Sequence, residues 1–176
     1  MAKRVFKVDL SVKGIEQLKK DLLNYKNNIL KDKVRLFAQV LAEKGVEIAK
    51  ANVTRLDAIF TGELINSISA RNGGTTETGA IFYVVADSEH AAWVEFGTGQ
   101  LGKEGPYPYP LPPEVDWEYN TGKTIFEISP GQYGWFYPAE NGQWYFTQGM
   151  PSRPFMYETS LELQNIVAQV AKEVFK

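Results

Sequence analysis

Gly97-Thr98-Gly99-Gln100-Leu101-Gly102 forms a G-x-G-x-x-G run, the spacing with which a strand–turn–helix unit cradles a pyrophosphate. That chemistry needs a strand before the glycines and a helix opening on them, because the anion rests on the helix N-terminus. The residues that follow are Lys103-Glu104-Gly105-Pro106-Tyr107-Pro108-Tyr109-Pro110. Alternate prolines remove amide donors and push their predecessors towards extended geometry, so no helix is expected to start there. The run reads as a glycine-rich loop. Asp87-Ser88-Glu89-His90 offers nucleophile, acid and imidazole around the single histidine of the chain. A relay is assembled in space, so adjacency argues nothing for one, and His90 reads as a surface or helix-face residue. One histidine without cysteine leaves no zinc set, and no D-x-D-x-D-G calcium loop occurs. "NTGKT" (120–124) resembles the end of a phosphate loop, but Trp117 stands where the first glycine is needed. Glu89, Glu95, Glu114, Asp116 and Glu118 could furnish two carboxylates for glycoside hydrolysis, and nothing selects a pair. No catalytic, cofactor-binding or metal-binding residue is assigned, and the chain is not expected to be an enzyme.

The elements that would position these residues follow from composition and periodicity. With 176 residues and an apolar fraction of 44%, the chain is expected to form a single folded domain over 1–176. A net charge of -2 gives no general basic field for nucleic acid. Absence of cysteine excludes disulfides and thiol chemistry. Neither a secretory signal nor a membrane span is expected, since no apolar run follows the basic N-terminal residues or approaches the required length. Alternation in "RVFKVDL" predicts a first strand. Ile15, Leu18, Leu22, Tyr25 and Ile29 then form one helical stripe, and Leu30, Val34, Phe37 and Leu41 another. The stripes do not share a face cleanly, so two helices are predicted, over 15–26 and 30–52, with a break or kink at Asn27-Asn28. Such stripes serve core packing or a heptad seam with a partner chain.

Beyond them, Leu64, Ile65 and Ile68 anchor a short helix or strand, "NGGTTETG" reads as a hairpin loop, and "AIFYVVAD" as a buried strand. "SEHAAWVEFG" reads as one short helix capped by Asp87 or Ser88 and stopped by Gly97. Residues 100–150 hold about half of the aromatics and most of the prolines, and are predicted to form an inserted extended arm or β-hairpin with strands in "KTIFEIS", "GWFYP" and "QWYFTQG". Pro154 suits the first turn of a terminal helix carrying Leu163, Ile166, Val167, Val170 and Val174. The order predicts an α+β fold: an antiparallel sheet against long N-terminal helices and a C-terminal helix, with an aromatic, proline-rich arm.

"YGWFYPAENGQWYFTQGM" (133–150) resembles one unit of the choline-binding repeats of cell-wall-attached proteins, whose aromatic cages hold quaternary ammonium by cation–π attraction. Cages form between consecutive repeats, and this chain has a single copy. An aromatic module for cell wall, carbohydrate or choline is therefore the alternative reading.

Three segments, "TGELINSI" (61–68), "HAAWVEFGTG" (90–99) and "MPSRPFM" (150–156), together resemble the gene-ten-like family of tail-component proteins of long-tailed bacteriophages, named for phage HK-ninety-seven. The flanking amphipathic helices also fit, while the segment 102–149 departs from the family pattern. The resemblance implies a structural virion protein of the neck or tail-completion type, a head–tail connector assembled as a ring in the host bacterial cytoplasm. It implies contacts with other copies and with head-completion, tail-tube or tail-terminator proteins. DNA would pass without sequence-specific binding, and no membrane, cofactor or small-molecule substrate would be involved. Under that reading Tyr107, Tyr109, Trp117, Trp135, Tyr137, Trp144 and Tyr145 are candidate subunit-interface anchors. Gly97 and Gly99 let the chain turn sharply at the root of the arm, where Glu95 is expected to pair with Arg153.

Overall fold

The computed structural model describes residues 9–58, 62–77, 79–119, 124–139 and 141–176. The fold is α+β, with a long N-terminal helix, two antiparallel sheets and a C-terminal helix. The strand expected in "RVFKVDL" lies outside the described residues apart from Asp9 and Leu10, which are not in a strand. The chain divides into two units that interleave along the sequence, one of 1–48, 69–85 and 160–176, the other of 49–68 and 86–159.

The first unit begins with α1 (Val12–Asn24), whose N-terminus is capped by Ser11 Oγ accepting from the Gly14 amide at 3.1 Å. Of the break or kink expected at Asn27-Asn28, the structure shows a local change of winding rather than a break. Tyr25–Leu30 winds as a π-helix and leads directly into α2 (Lys31–Arg55). At 100° per residue the two apolar stripes are out of phase by roughly one residue, and a π-turn inserts one residue into a continuous helix. The winding therefore realigns stripes that the sequence shows as misaligned. β1 (Ile68–Thr75) and β2 (Ala80–Ala86) form a two-stranded sheet. β1 thus runs through Asn72-Gly73, which had been expected in the loop; the reversal comes later, where the Thr76 amide donates to Gly79 O at 2.9 Å. β2 is not buried: its side chains are half-buried or exposed, Tyr83 at 53%. Ala42 and Val170 form the buried centre of this unit. Gly45 admits neighbours there, since a Cβ on it would meet Val84 Cγ2 at 2.7 Å and Leu163 Cδ1 at 3.0 Å. Lys33 Nζ closes the end of the C-terminal helix α6 (Phe155–Val174), donating to the carbonyls of Val174 at 3.1 Å and Lys176 at 2.9 Å.

The second unit takes the last turns of α2 and the first of α6, with α3 (Glu63–Ser67), α4 (Ala91–Phe96), α5 (Gly99–Glu104) and the strands β3 (Phe126–Ser129), β4 (Gln132–Pro138), β5 (Trp144–Thr147) and β6 (Gly149–Met150). The α2 segment ends in a Schellman turn: Ala58 N–H reaches Val53 O and Asp57 N–H reaches Thr54 O, with Asp57 left-handed at φ 51°. Its apolar core is Ala49, Val53, Ala58, Leu64, Ile68, Val94 and Phe155. Asn52, Ser88, Glu95, Thr98 and Thr159, the buried polar side chains among the described residues, also lie here. β3, β4 and β5 form an antiparallel meander, with Phe126 opposite Gly134 and Phe136 opposite Phe146. Of the two forms expected for 100–150, residues 126–147 take the hairpin form with a third strand added.

Candidate functional site

Three of the buried polar side chains of the second unit, Glu95, Asn52 and Thr159, meet at the first turns of α6. Pro154 precedes the first helical residue, one position earlier than expected, and has no side-chain oxygen with which to cap the helix. Glu95 supplies the cap from 61 positions away. Its Oε2 accepts from the Met156 amide at 2.9 Å and its Oε1 from the Tyr157 amide at 3.0 Å. Two further bonds close the junction: Ser152 Oγ donates to Glu95 O at 2.6 Å, and the Arg153 amide donates to Val94 O at 2.8 Å. The expected Glu95–Arg153 ion pair is therefore corrected. Both carboxylate oxygens face helix amides, and Arg153 joins through its backbone. Burial pushes the Glu95 carboxyl up to about 7; the Met156 and Tyr157 amides oppose this and the Glu158 charge adds to it.

A second polar cluster secures the same helix end. Asn52 Nδ2 donates to Thr159 Oγ1 at 3.2 Å, and Thr159 Oγ1 donates to Phe155 O at 2.6 Å. Arg55 bonds Asn52 Oδ1 through Nε and Nη2 and forms an ion pair with Glu158. Composition and periodicity gave no indication of these partners, which are remote in sequence. The one available signal was a helix start at Pro154 without a neighbouring cap.

The glycines of the G-x-G-x-x-G run turn out to serve backbone contact. A helix does open on them, contrary to expectation: α5 spans six residues and ends at Glu104, before Pro106 can interfere. Two of its first amides are already occupied. Gly99 N–H donates to Tyr119 O at 2.9 Å and Leu101 N–H to Gln148 O at 3.1 Å. Gly97 and Gly99 have φ of 84° and 64°. A Cβ on Gly97 would lie 2.7 Å from Ser152 N, and one on Gly99 2.5 Å from Gln148 O. The chain at 97–99 thus lies against 148–152, with bridges Thr98–Met150 and Gly99–Gly149.

The candidate interface anchors separate into two groups. Tyr107, Tyr109 and Trp117 fold back on their own unit. Phe96 meets the rings of Tyr107 at 4.9 Å and Trp117 at 5.0 Å, Tyr109 stacks on Tyr157 at 3.9 Å, and Trp117 Nε1 donates to Gly97 O at 2.9 Å. The proline-rich stretch after Gly105 is therefore no free-standing arm. Burial pushes the Tyr107 hydroxyl up to about 12, helped by the Glu95 charge. On the meander, Trp135 lies over Gly99, Tyr137 meets Tyr145, and Trp144 is 66% exposed. Gln100 holds the sheet to α5: its Oε1 accepts from the Tyr133 amide and Gln148 Nε2, and its Nε2 donates to Gly131 O.

His90 stacks against Trp93 at 5.2 Å, while the Ser88 hydroxyl donates to Glu63 Oε1 at 3.4 Å. Ser88 Oγ also accepts from the His90 amide at 3.3 Å. Glu89, Glu114, Asp116 and Glu118 are exposed, and residues 120–123 of "NTGKT" lie outside the described residues. Among the described residues no three His, Cys, Asp or Glu side chains could jointly hold a metal ion, and no helix is long and apolar enough to cross a membrane. No protein-family model, curated protein or solved structure matches the chain.

Proposed function

We propose that the chain is a structural virion protein of a long-tailed bacteriophage, a ring-forming subunit at the head–tail junction in the neck or tail-completion position, acting without catalysis. One observation carries this reading. The segments that resemble the tail-component family are the ones that interlock: "EFG" and "PSRPFM" are tied by the Glu95 cap, the Ser152–Glu95 bond and the Arg153–Val94 bond. In the third segment Glu63 accepts from Ser88, two residues before "HAAWVEFGTG", and Leu64 and Ile68 are buried in the same unit. A framework locked in this way suits an assembly subunit, whose neighbours must meet a rigid surface.

The test has two arms. Purified protein examined by light scattering and negative-stain microscopy is expected to form rings with increasing concentration. Virions produced without it are expected to appear as tailless filled heads beside free finished tails, and normal particles would refute the reading. The partners are other copies and the adjoining head-completion or tail proteins, in virions assembled in the bacterial cytoplasm. The exposure of Trp144 favours the second reading, an aromatic module for cell wall, carbohydrate or choline. Choline or glycan binding that is lost in Trp144→Ala would establish it instead.

A further inference from the structure

The charge of this chain is divided along its length. Residues 1–35 carry ten lysines and arginines against four acids, whereas residues 36–176 carry nine against seventeen. The near-neutral total conceals a basic end, and a charge asymmetry of this kind suits contact with a polyanion.

The helix presents that basic end in an ordered way. Lys33 lies on the side of α2 that meets α6: its Nζ holds the carbonyls of Val174 and Lys176, and Phe37, one turn on, meets the Phe175 ring. At 100° per residue Lys31 and Arg35 each lie about 160° around the helix from Lys33, so they face away from α6, and both are exposed. In α1 the exposed Lys13 and Lys20 stand about 140–180° from the members of the Ile15–Leu18–Leu22 stripe. The π-turn brings the stripes of α1 and α2 into line. Lys13, Lys20, Lys31 and Arg35 therefore share one side of a continuous helix, with Glu16 and Asp32 as the acids among them. Unlike Lys33 and Arg55, none of these four side chains is engaged in a hydrogen bond or ion pair among the described residues.

Length and field also fit DNA. Val12–Arg35 extends about 36 Å at 1.5 Å per residue, close to one turn of duplex DNA at about 34 Å. Lys13 and Lys20 lie about 20–30 Å beyond Lys33, where α6 ends. That is more than two screening lengths of about 8 Å at physiological salt, so the α6 acids Glu158, Glu162 and Glu173 leave their field intact. A helix lying in a membrane surface would sink its apolar stripe into lipid. Here the four basic residues stand opposite the stripe, which suits a contact made through charge alone.

We infer that the side of α1 and α2 bearing Lys13, Lys20, Lys31 and Arg35 binds the phosphate backbone of duplex DNA without reading its sequence. The inference rests on the ring reading for its ligand, since DNA would pass through such a ring. Backbone contacts carry no sequence information. Four neutralised phosphates give a slope of about −3.6 for log affinity against log salt, a loss on the order of a hundredfold between 50 and 200 mM.

The test uses the full chain and labelled duplexes of two unrelated sequences, each about three helical turns long, followed by fluorescence anisotropy. Wild type is expected to bind both alike with the slope given above. Lys20→Gln should lower the slope by about one. Replacing Lys13, Lys20, Lys31 and Arg35 together by Gln should weaken binding on the order of a hundredfold at low salt, while Lys103→Gln leaves it unchanged. Circular dichroism confirms that the variants fold. The inference is overturned if the wild type does not bind, if the fourfold variant binds like the wild type, or if phosphatidylglycerol vesicles are bound and DNA is not. Light scattering on the same samples tests the ring reading separately. Assembly without DNA binding would end this inference alone, and salt-steep DNA binding without assembly would end the ring reading alone.

Discussion

The cap on α6 sets two electrostatic effects against each other, and pH determines which prevails. Two amides and the positive end of the helix favour a charged Glu95, each bond to a charged group contributing about 1.5–3 kcal/mol. Burial at 7% exposure disfavours the charge. The balance leaves the carboxyl raised from 4.5 to about 7. A folded value above the unfolded one means that the folded chain binds more protons between these pH values. Stability is then full below about 4.5, declines as pH rises to about 7, and is level above; the total change is about 3 kcal/mol. Glu95→Gln preserves shape and one acceptor but cannot titrate. Urea unfolding of both proteins from pH 4 to 8 should therefore give a wild-type-minus-variant difference that falls by about this amount over the interval. Parallel curves would refute the argument. A difference that grows with pH would show that capping outweighs burial, reversing the sign.

Other substitutions probe the same unit. Gly99→Ala places a β-carbon 2.5 Å from Gln148 O at a φ of 64°; a loss of about 2 kcal/mol or more is expected in urea unfolding. Phe155→Ala empties a fully buried position and should cost about 3–5 kcal/mol, read as a lower thermal midpoint. Asn52→Leu strands the Thr159 and Arg55 partners, with an expected loss of about 1–3 kcal/mol. Arg55→Ala should cost only about 1 kcal/mol, because the arginine side chain is 53% exposed. If Arg55→Ala proved the more damaging of these two in denaturant titrations, the buried amide would not be the centre of that cluster.

The α+β class and most elements were legible because periodicity is a local property. The stripes at 15–29 and 30–41 gave the long helix, and the β-prone runs at 80–86 and 132–147 gave strands. Local pattern also misled in identifiable ways. A change of stripe phase suggests a break or kink, and one π-turn absorbs it without interrupting the helix. Strand propensity in "AIFYVVAD" suggests burial, although propensity says nothing about whether a second layer covers the strand. The prolines from 106 onward forbid the continuation of a helix, not its start at 99. Glu95 escaped because a cap is ordinarily sought beside the helix it serves, and here it lies 61 positions from the first amide it accepts from.

The glycine run shows where residue types cease to decide function. A glycine that lets a phosphate approach the backbone equally lets another strand approach it, since both need an absent side chain. What separates the two uses is the state of the amides. A phosphate cradle presents free N–H groups, whereas Gly99 and Leu101 donate to Tyr119 and Gln148 of the same chain. With those donors engaged and Gln148 only 2.5 Å from a β-carbon built on Gly99, the run functions as a joint between segments 97–102 and 148–152. The rigidity of that joint in turn fixes the position of the meander, because Gln100 bonds both the Tyr133 amide and Gln148. The residues that hold the meander in place are thus those the sequence presents as a nucleotide motif.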